Sequence, residues 1–92
     1  MKQKENPLVT VVIPTYKRLK QLTRAINSVY DQTYNNIEII IVNDDPNSDI
    51  EKFIEIKKNV ELINHKQNQG PSGARNSGIQ RAKGKYIAFL DD

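Results

Sequence analysis

The 92-residue sequence has no cysteine, one histidine and no long hydrophobic run. The absence of cysteine excludes disulfide bonds, thiolate metal sites and cysteine nucleophiles. A membrane-spanning helix needs roughly 18 consecutive apolar residues, and every apolar run here is much shorter. The charge excess is also small, because 14 Lys and Arg residues stand against 11 Asp and Glu residues for a net charge of +3. That excess gives no reason to expect a nucleic-acid partner.

The first residues do not resemble an export signal. Only six apolar or nearly apolar residues, 8–13, separate the polar start from Pro14, and this run is too short for a secretory signal. We therefore expect a cytoplasmic protein. Hydrophobic residues make up 37% and charged residues 27% of the chain, a balance typical of folded domains.

Four short apolar runs alternate with segments of helical periodicity. Each run contains four to six residues and stops at turn-forming residues; the runs are 8–13, 39–42, 60–63 and 86–90. Apolar runs of this length predict strands that are buried on both faces, as in a parallel sheet.

Two of the intervening segments show an amphipathic helical stripe. Residues 19–30 place their large apolar side chains on one face. Residues 48–57 have a weaker stripe, but Ser48 and Glu51 have the spacing of a capping box at its start. Both segments are therefore predicted to be helices.

A third helix is predicted over residues 71–83. Pro71 suits a first helical turn, and Gly84 suits a left-handed residue just after the helix. Gly78 lies inside the helix, where glycine costs about 1 kcal/mol relative to alanine. This cost is explained if the helix backbone lies close to the sheet.

Strand, helix and strand repeated in this way predict an α/β fold. We expect a three-layer α/β/α sandwich with a mainly parallel four-stranded sheet, the Rossmann-like half of a doubly wound fold. The chain stops at Asp91 and Asp92, where such folds place ligand chemistry. We therefore expect residues 1–92 to be a single domain and the amino-terminal part of a longer protein. The outer edge of the last strand is expected to be unpaired and to favour self-association.

Ligands of parallel sheets bind outside the carboxyl ends of the strands, so the residues that follow each strand are candidates. Tyr16 either stacks on a planar base or covers the first helix. Asp44 and Asp45 either contact a metal, base or ribose or cap the turn that leads to Ser48. Arg75 is either solvated or contacts a phosphate near a helix start. His65 is better explained as a strand-end residue than as a general base.

Asp91 and Asp92 either hold Mg²⁺ or Mn²⁺ together with substrate phosphates or are turn residues that end a strand. Other nucleotide motifs are incomplete. Residues 73–78 have the outer glycine spacing of a P-loop, but Ile79 and Gln80 follow instead of Lys and Ser or Thr, and no G-x-G-x-x-G is present. These departures argue against ATPase and nicotinamide-dependent functions.

Four strings occur in order: VTVVIPTYKR, IEIIIVNDD, NQGPSGARNSG and AKGKYIAFLDD. Together they resemble the amino-terminal half of a family 2 glycosyltransferase of the GT-A fold, from about Val9 to Asp92. The resemblance implies a nucleotide-diphosphate sugar donor, commonly UDP-linked, and a divalent cation, Mn²⁺ or Mg²⁺. It further implies inverting transfer to the hydroxyl of a carbohydrate or lipid-linked acceptor, and a parent protein that can be peripheral to the inner face of a membrane.

The resemblance implies a set of nucleotide-binding residues, namely Pro14, Thr15, Tyr16, Asp44, Arg75, Asp91 and Asp92. The first three match the loop that cups the base, and Asp44 matches the aspartate that accepts the uracil imino proton. Arg75 matches an arginine near the diphosphate, and Asp91 and Asp92 match the opening of the metal-binding D-x-D motif. No catalytic residue is assigned, because the family's general base belongs to the later half. The 92 residues alone are therefore predicted to transfer no sugar.

Three residues depart from the family pattern. Asp45 and Pro46 stand where Gly-Ser is usual, and Lys17 replaces the frequent Asn.

Two other functions remain possible interpretations of the sequence. One is a non-catalytic nucleotide-binding or regulatory module. The other is a phospho-receiver-like domain, which would need an acidic pair after the first strand and a lysine after the last.

Overall fold

The computed structural model describes residues 6–54, 56, 57 and 59–91. The elements in chain order are β1 Val9–Thr15, α1 Leu19–Tyr30, β2 Ile37–Asn43, a 3₁₀ turn Ile50–Lys52, β3 Val60–Asn64, α2 Gly70–Arg81 and β4 Tyr86–Phe89. The strands form one sheet in the order β3-β2-β1-β4, and every neighbouring pair is parallel. The predicted four-stranded parallel α/β architecture is confirmed.

The two central strands divide their side chains between two apolar layers. The layer under α1 contains Val11, Ile13, Leu22, Ala25, Ile26, Val29, Ile39 and Ile41. The layer under α2 contains Val12, Ile40, Val42 and Ala74. Because successive residues of a strand point to opposite faces, the helices cover opposite sides of the sheet. Each fully buried Val, Leu or Ile contributes roughly 1.5–3 kcal/mol to stability.

Gly78 allows α2 to lie close to the sheet. A Cβ atom at this position would be nearer than 3.0 Å to Val12 Cγ1, 3.0 Å from Cγ2 and 3.2 Å from Cβ. Ordinary carbon contacts are about 3.5–4.0 Å, so a side chain does not fit. The structure confirms the expected reason for a glycine inside this helix.

The predicted helix over residues 48–57 is wrong. The segment forms the single 3₁₀ turn Ile50–Lys52, and no side chain caps its start. Ile50 is the buried residue of this turn, whereas Phe53 is 66% exposed. A short segment with little buried surface cannot sustain a helix, because helix nucleation is costly and most helical stability comes from packing.

The predicted left-handed role of Gly84 is also wrong. Helix α2 ends at Arg81, Ala82 is extended, and among the described glycines positive φ occurs at Gly70. Gly84 is instead required by close approach, since a Cβ there would lie 2.6 Å from both the nitrogen and Oγ1 of Thr10. Its N–H donates a hydrogen bond to Thr10 Oγ1 at 2.9 Å.

Strand β1 continues through Pro14, two residues beyond the predicted end. The carbonyl of Val12 accepts a hydrogen bond from Leu90 N–H, whereas the carbonyl of Thr15 accepts one from Asp44 N–H. This alternation places the Pro14 nitrogen on the β4 side, past the last β1–β4 pair, Val12 with Phe89. The missing proline N–H therefore removes no ladder hydrogen bond.

Strand β4 lies at the border of the described sheet, and all four of its residues are exposed. Tyr86, Ile87 and Phe89 are the large apolar side chains of this edge. Self-association through the edge remains a prediction. Among the described residues, no helix combines the length and apolar character that crossing a membrane requires.

Candidate functional site

A cavity of about 430 Å³ opens where β1 and β2 end, beside the start of α2. Small-molecule sites typically measure roughly 300–1,000 Å³. Six predicted site residues line the cavity: Pro14, Thr15, Tyr16, Asp44, Arg75 and Asp91. The other lining residues are Arg18, Asn68, Gly70, Pro71 and Ala74. The seventh predicted site residue, Asp92, lies outside the described residues. The structure brings the six together, and their binding roles remain predictions.

Asp44 follows β2 and caps the start of α2. Its side chain is buried, and its Oδ1 accepts a hydrogen bond from Gln69 N–H at 2.8 Å. Its Oδ2 accepts one from Gly70 N–H at 2.9 Å. The first N–H groups of a helix have no partner within the helix, so this carboxylate satisfies donors that the sequence pattern did not connect to it.

His65 connects Asp44 to the middle of α2. The buried ring lies directly after β3, with Nδ1 2.7 Å from Asp44 Oδ1 and Nε2 2.7 Å from Ser77 Oγ. Since an ionised carboxylate only accepts hydrogen bonds, Nδ1–H donates to Asp44. In the neutral ring, Nε2 then accepts from the Ser77 hydroxyl. Both ring nitrogens are therefore engaged in holding other residues.

The pKa of Asp44 is lowered from its ordinary value of 3.8. Burial is the largest single influence and raises this pKa, because it removes water from the charged form. The hydrogen bonds from His65, Gln69 and Gly70, together with the charge of His65, outweigh burial. Asp44 is thus an anion at neutral pH and presents only acceptors to the cavity.

Tyr16 forms a wall of the cavity and is 43% exposed. The next residue, Lys17, has a φ of 57°. This left-handed conformation costs a residue with a side chain roughly 1–2 kcal/mol. The Lys17 ammonium lies 5.1 Å from the centre of the Tyr16 ring, within cation–π range. The exposed ring is compatible with the predicted stacking role.

Two arginines line the cavity, Arg18 directly before α1 and Arg75 in the second turn of α2. Within the described part of the chain, neither forms an ion pair. Guanidinium groups and helix amino termini both favour anions. The cavity is therefore suited to phosphate groups.

Asp45 forms part of a turn, which is one of the two roles that the sequence predicts for it. Its Oδ1 accepts a hydrogen bond from Asn47 N–H at 3.0 Å, and its carbonyl accepts one from Ser48 N–H at 3.2 Å. The Asn43 amide supports the same turn by donating to the Ser48 carbonyl at 2.9 Å. Asp45 lines a smaller cavity of about 250 Å³ and not the larger one.

Residues 10–92 match the profile of Glycosyl transferase family 2. The chain belongs to this family. A glycosyltransferase of Rickettsia bellii (strain RML369-C), named as uncharacterized, is 46% identical over 85 residues, which are 90% of this chain and 12% of that protein. The GalNAc(5)-diNAcBac-PP-undecaprenol beta-1,3-glucosyltransferase of Campylobacter jejuni is 33% identical over 91 residues, covering 94% of this chain and 29% of that protein. The chain therefore spans less than a third of the length of either relative.

Solved structures of glycosyltransferases share the fold of this family member. Mannosyltransferase PcManGT from Pyrobaculum calidifontis, in complex with GDP-Man and Mn²⁺, matches with a TM-score of 0.79 and 22% identity over 92% of this chain and 27% of that chain. S. aureus TarS 1-349 in complex with UDP matches with a TM-score of 0.76 and 28% identity over 90% of this chain and 26% of that chain. The predicted family and GT-A fold are confirmed.

The described part of this family 2 chain supplies little of a metal site. No group of three or more His, Asp or Glu side chains in it is placed to hold an ion. Both Asp44 oxygens already accept hydrogen bonds, which leaves Asp91 as the exposed carboxylate on the cavity. Mg²⁺ commonly takes one or two protein carboxylates together with substrate phosphates. One carboxylate on the same cavity as the two arginines fits that arrangement.

Sequence reasoning missed Arg18 and the contacts that His65 makes to Asp44 and Ser77. The signal for Arg18 was its place in the same loop as Tyr16. The signal for His65 was positional, because residues that directly follow adjacent parallel strands lie side by side. Using this signal requires knowing that β3 is the neighbour of β2 in the sheet.

Proposed function

We propose that this family 2 chain binds the nucleotide-diphosphate part of a UDP-linked sugar donor. The longer protein to which it corresponds would transfer the sugar, with inversion, to the hydroxyl of a carbohydrate or lipid-linked acceptor. The observation that carries the proposal is the cavity, in which six residues from four segments of the chain meet at the carboxyl end of the sheet.

The nucleoside end of the donor would lie between Tyr16 and Asp44. Tyr16 offers an exposed ring for stacking on a planar base, an interaction worth roughly 1–3 kcal/mol. Asp44 offers a buried, ionised acceptor for the imide N–H of uracil. Pro14 and Thr15, at the end of β1, shape the loop that cups the base. The UDP complex of TarS, which shares 28% identity with this chain, supports the choice of uridine.

The diphosphate would lie beside Arg18, Arg75 and the start of α2. Asp91 would share a divalent cation with the phosphates, as would Asp92, which lies outside the described residues. When bound, such a cation neutralises the negative charge that develops on the leaving diphosphate. The Mn²⁺ in the PcManGT complex supports a cation of this kind in the fold.

The chemical step needs a general base that the described residues do not supply. Asp44 and His65 are buried and hydrogen-bonded to each other, and Asp91 is assigned to the cation. We therefore propose that the 92 residues bind the donor and transfer no sugar by themselves. The PP-undecaprenol in the name of the Campylobacter jejuni relative supports a lipid-linked acceptor. We further propose that the longer protein is peripheral to the inner face of a membrane.

Titration calorimetry with UDP, with and without Mn²⁺, tests the proposal. We expect weak but measurable binding that Mn²⁺ strengthens. Arg75→Ala should weaken binding roughly tenfold, because a charge-assisted phosphate contact is lost. Arg24→Ala, on the exposed face of α1, removes the same charge away from the cavity and should leave affinity unchanged. A wild-type chain that does not respond to UDP would support a regulatory module instead.

A further inference from the structure

The carboxylate of Asp44 has almost no acceptor capacity left. An ionised carboxylate has about four lone-pair positions, two on each oxygen. Oδ1 uses both, for His65 Nδ1–H at 2.7 Å and Gln69 N–H at 2.8 Å. Oδ2 uses one, for Gly70 N–H at 2.9 Å. One acceptor position on Oδ2 therefore remains for a ligand.

The Asp44 carboxylate is held by donors from two parts of the fold. The two N–H groups belong to consecutive residues at the start of α2, so they hold the carboxylate from one direction. His65 approaches from β3 and is itself held by Ser77 Oγ, 2.7 Å from Nε2. Two elements of the fold thus restrain the carboxylate from different sides.

We propose that His65 is a positioning residue for nucleobase selection, which holds Asp44 so that a single acceptor on Oδ2 faces the cavity. This inference rests on the proposed function. Uracil carries an imide N–H that donates to such an acceptor, whereas the corresponding cytosine nitrogen carries only a lone pair. A fixed acceptor therefore favours UDP over CDP, and its loss lowers that preference.

The test compares two substitutions that each keep one half of the imidazole. In His65→Asn the amide nitrogen replaces Nδ1, so the bond to Asp44 is kept. In His65→Gln the side-chain amide reaches the position of Nε2, where its oxygen accepts from the Ser77 hydroxyl. The contact with Ser77 is therefore kept and the bond to Asp44 is lost. We expect His65→Gln to lower the UDP-to-CDP affinity ratio roughly five- to tenfold, the effect of one hydrogen bond. His65→Asn should preserve the ratio, and so should Asn76→Ala on the exposed face of α2.

Each outcome decides between the inference and the function on which it rests. If the wild-type chain prefers UDP and His65→Gln, folded by circular dichroism, keeps the same ratio, the inference is wrong and the proposed function stands. If the wild-type chain binds neither nucleotide, the proposed function fails and the inference fails with it. A general loss of affinity for both nucleotides at an unchanged ratio would assign His65 a structural role only.

Nitrogen-15 NMR gives a second measurement that needs no nucleotide. His65 is the single histidine of the chain, so its ring signals are unambiguous. We expect the neutral ring to carry its proton on Nδ1, because Asp44 accepts from that atom. In Asp44→Leu the proton should shift towards Nε2. A wild-type ring protonated on Nε2 would overturn the inference.

Discussion

Replacing Gly78 with alanine should destabilise the chain, although alanine is the better helix former. Helix propensity alone predicts that this substitution raises the free energy of unfolding by about 1 kcal/mol. The added Cβ would overlap the γ carbons of Val12, a fully buried residue of the central strand β1. Overpacking costs about 1–3 kcal/mol, and an overlap this severe lies at the upper end. We therefore expect a net loss of about 2 kcal/mol in the free energy of unfolding, measured by urea denaturation.

A double-mutant cycle isolates the steric cause. Val12→Ala alone should cost about 2 kcal/mol, because it removes two buried methyl groups. Combined with Gly78→Ala, it removes both overlapping γ carbons and leaves the Cβ contact at 3.2 Å. The double variant should then be at least as stable as Val12→Ala, a favourable coupling of about 2–3 kcal/mol. Asn76→Ala, exposed on the same helix, is the control and should gain a few tenths of a kcal/mol. A stabilising Gly78→Ala would refute the close packing of α2 on the sheet.

Three further predictions concern other parts of the molecule. Lys17→Asn should raise the free energy of unfolding by about 0.5–1 kcal/mol, because asparagine tolerates the left-handed conformation; an unchanged value would argue against a strained turn. Since the pKa of Asp44 is lowered in the folded chain, its stabilising contribution is complete above its ordinary pKa of 3.8 and is lost as the pH falls through the lower folded pKa. The stability difference between wild type and Asp44→Asn, followed by urea denaturation, should therefore shrink over that acid range. A constant difference would contradict the stabilisation of the charged Asp44 carboxylate by its hydrogen bonds. Phe89→Lys on the β4 edge should reduce self-association, measured by sedimentation velocity, whereas Phe53→Lys, which is exposed elsewhere, should not. A wild-type chain that is monomeric at high concentration would contradict self-association through the β4 edge.

Local patterns were sufficient to predict most of the architecture. Each of the four apolar runs lies in one of the four strands. The expectation of burial on both faces holds for the central strands β1 and β2. It is wrong for β4, whose four residues are exposed at the border of the described sheet. The stripe over residues 19–30 is α1, from Leu19 to Tyr30. The cost of glycine inside α2 correctly indicated a close approach between Gly78 and the sheet.

The errors arose where the outcome depended on contacts distant in sequence. Residues 48–57 have a helical period, but the sheet leaves Phe53 uncovered, so the segment buries too little apolar surface to form a helix. Gly84 follows a helix, as a left-handed cap would, but its role is set by Thr10, 74 positions earlier in the chain. No local pattern contains that information.

The same distinction divides the candidate site into a predictable and an unpredictable part. Tyr16, Asp44 and Asp91 could be placed at one cavity because each lies close behind a strand of a parallel sheet, and the carboxyl ends of such strands share one edge. What these side chains can accept or donate there depends on neighbours that only the strand order reveals. Asp44 has one acceptor position left because β3 is next to β2 and brings His65 beside it. The location of these side chains thus follows from sequence pattern, whereas the acceptor capacity left on Asp44 follows from strand order and register.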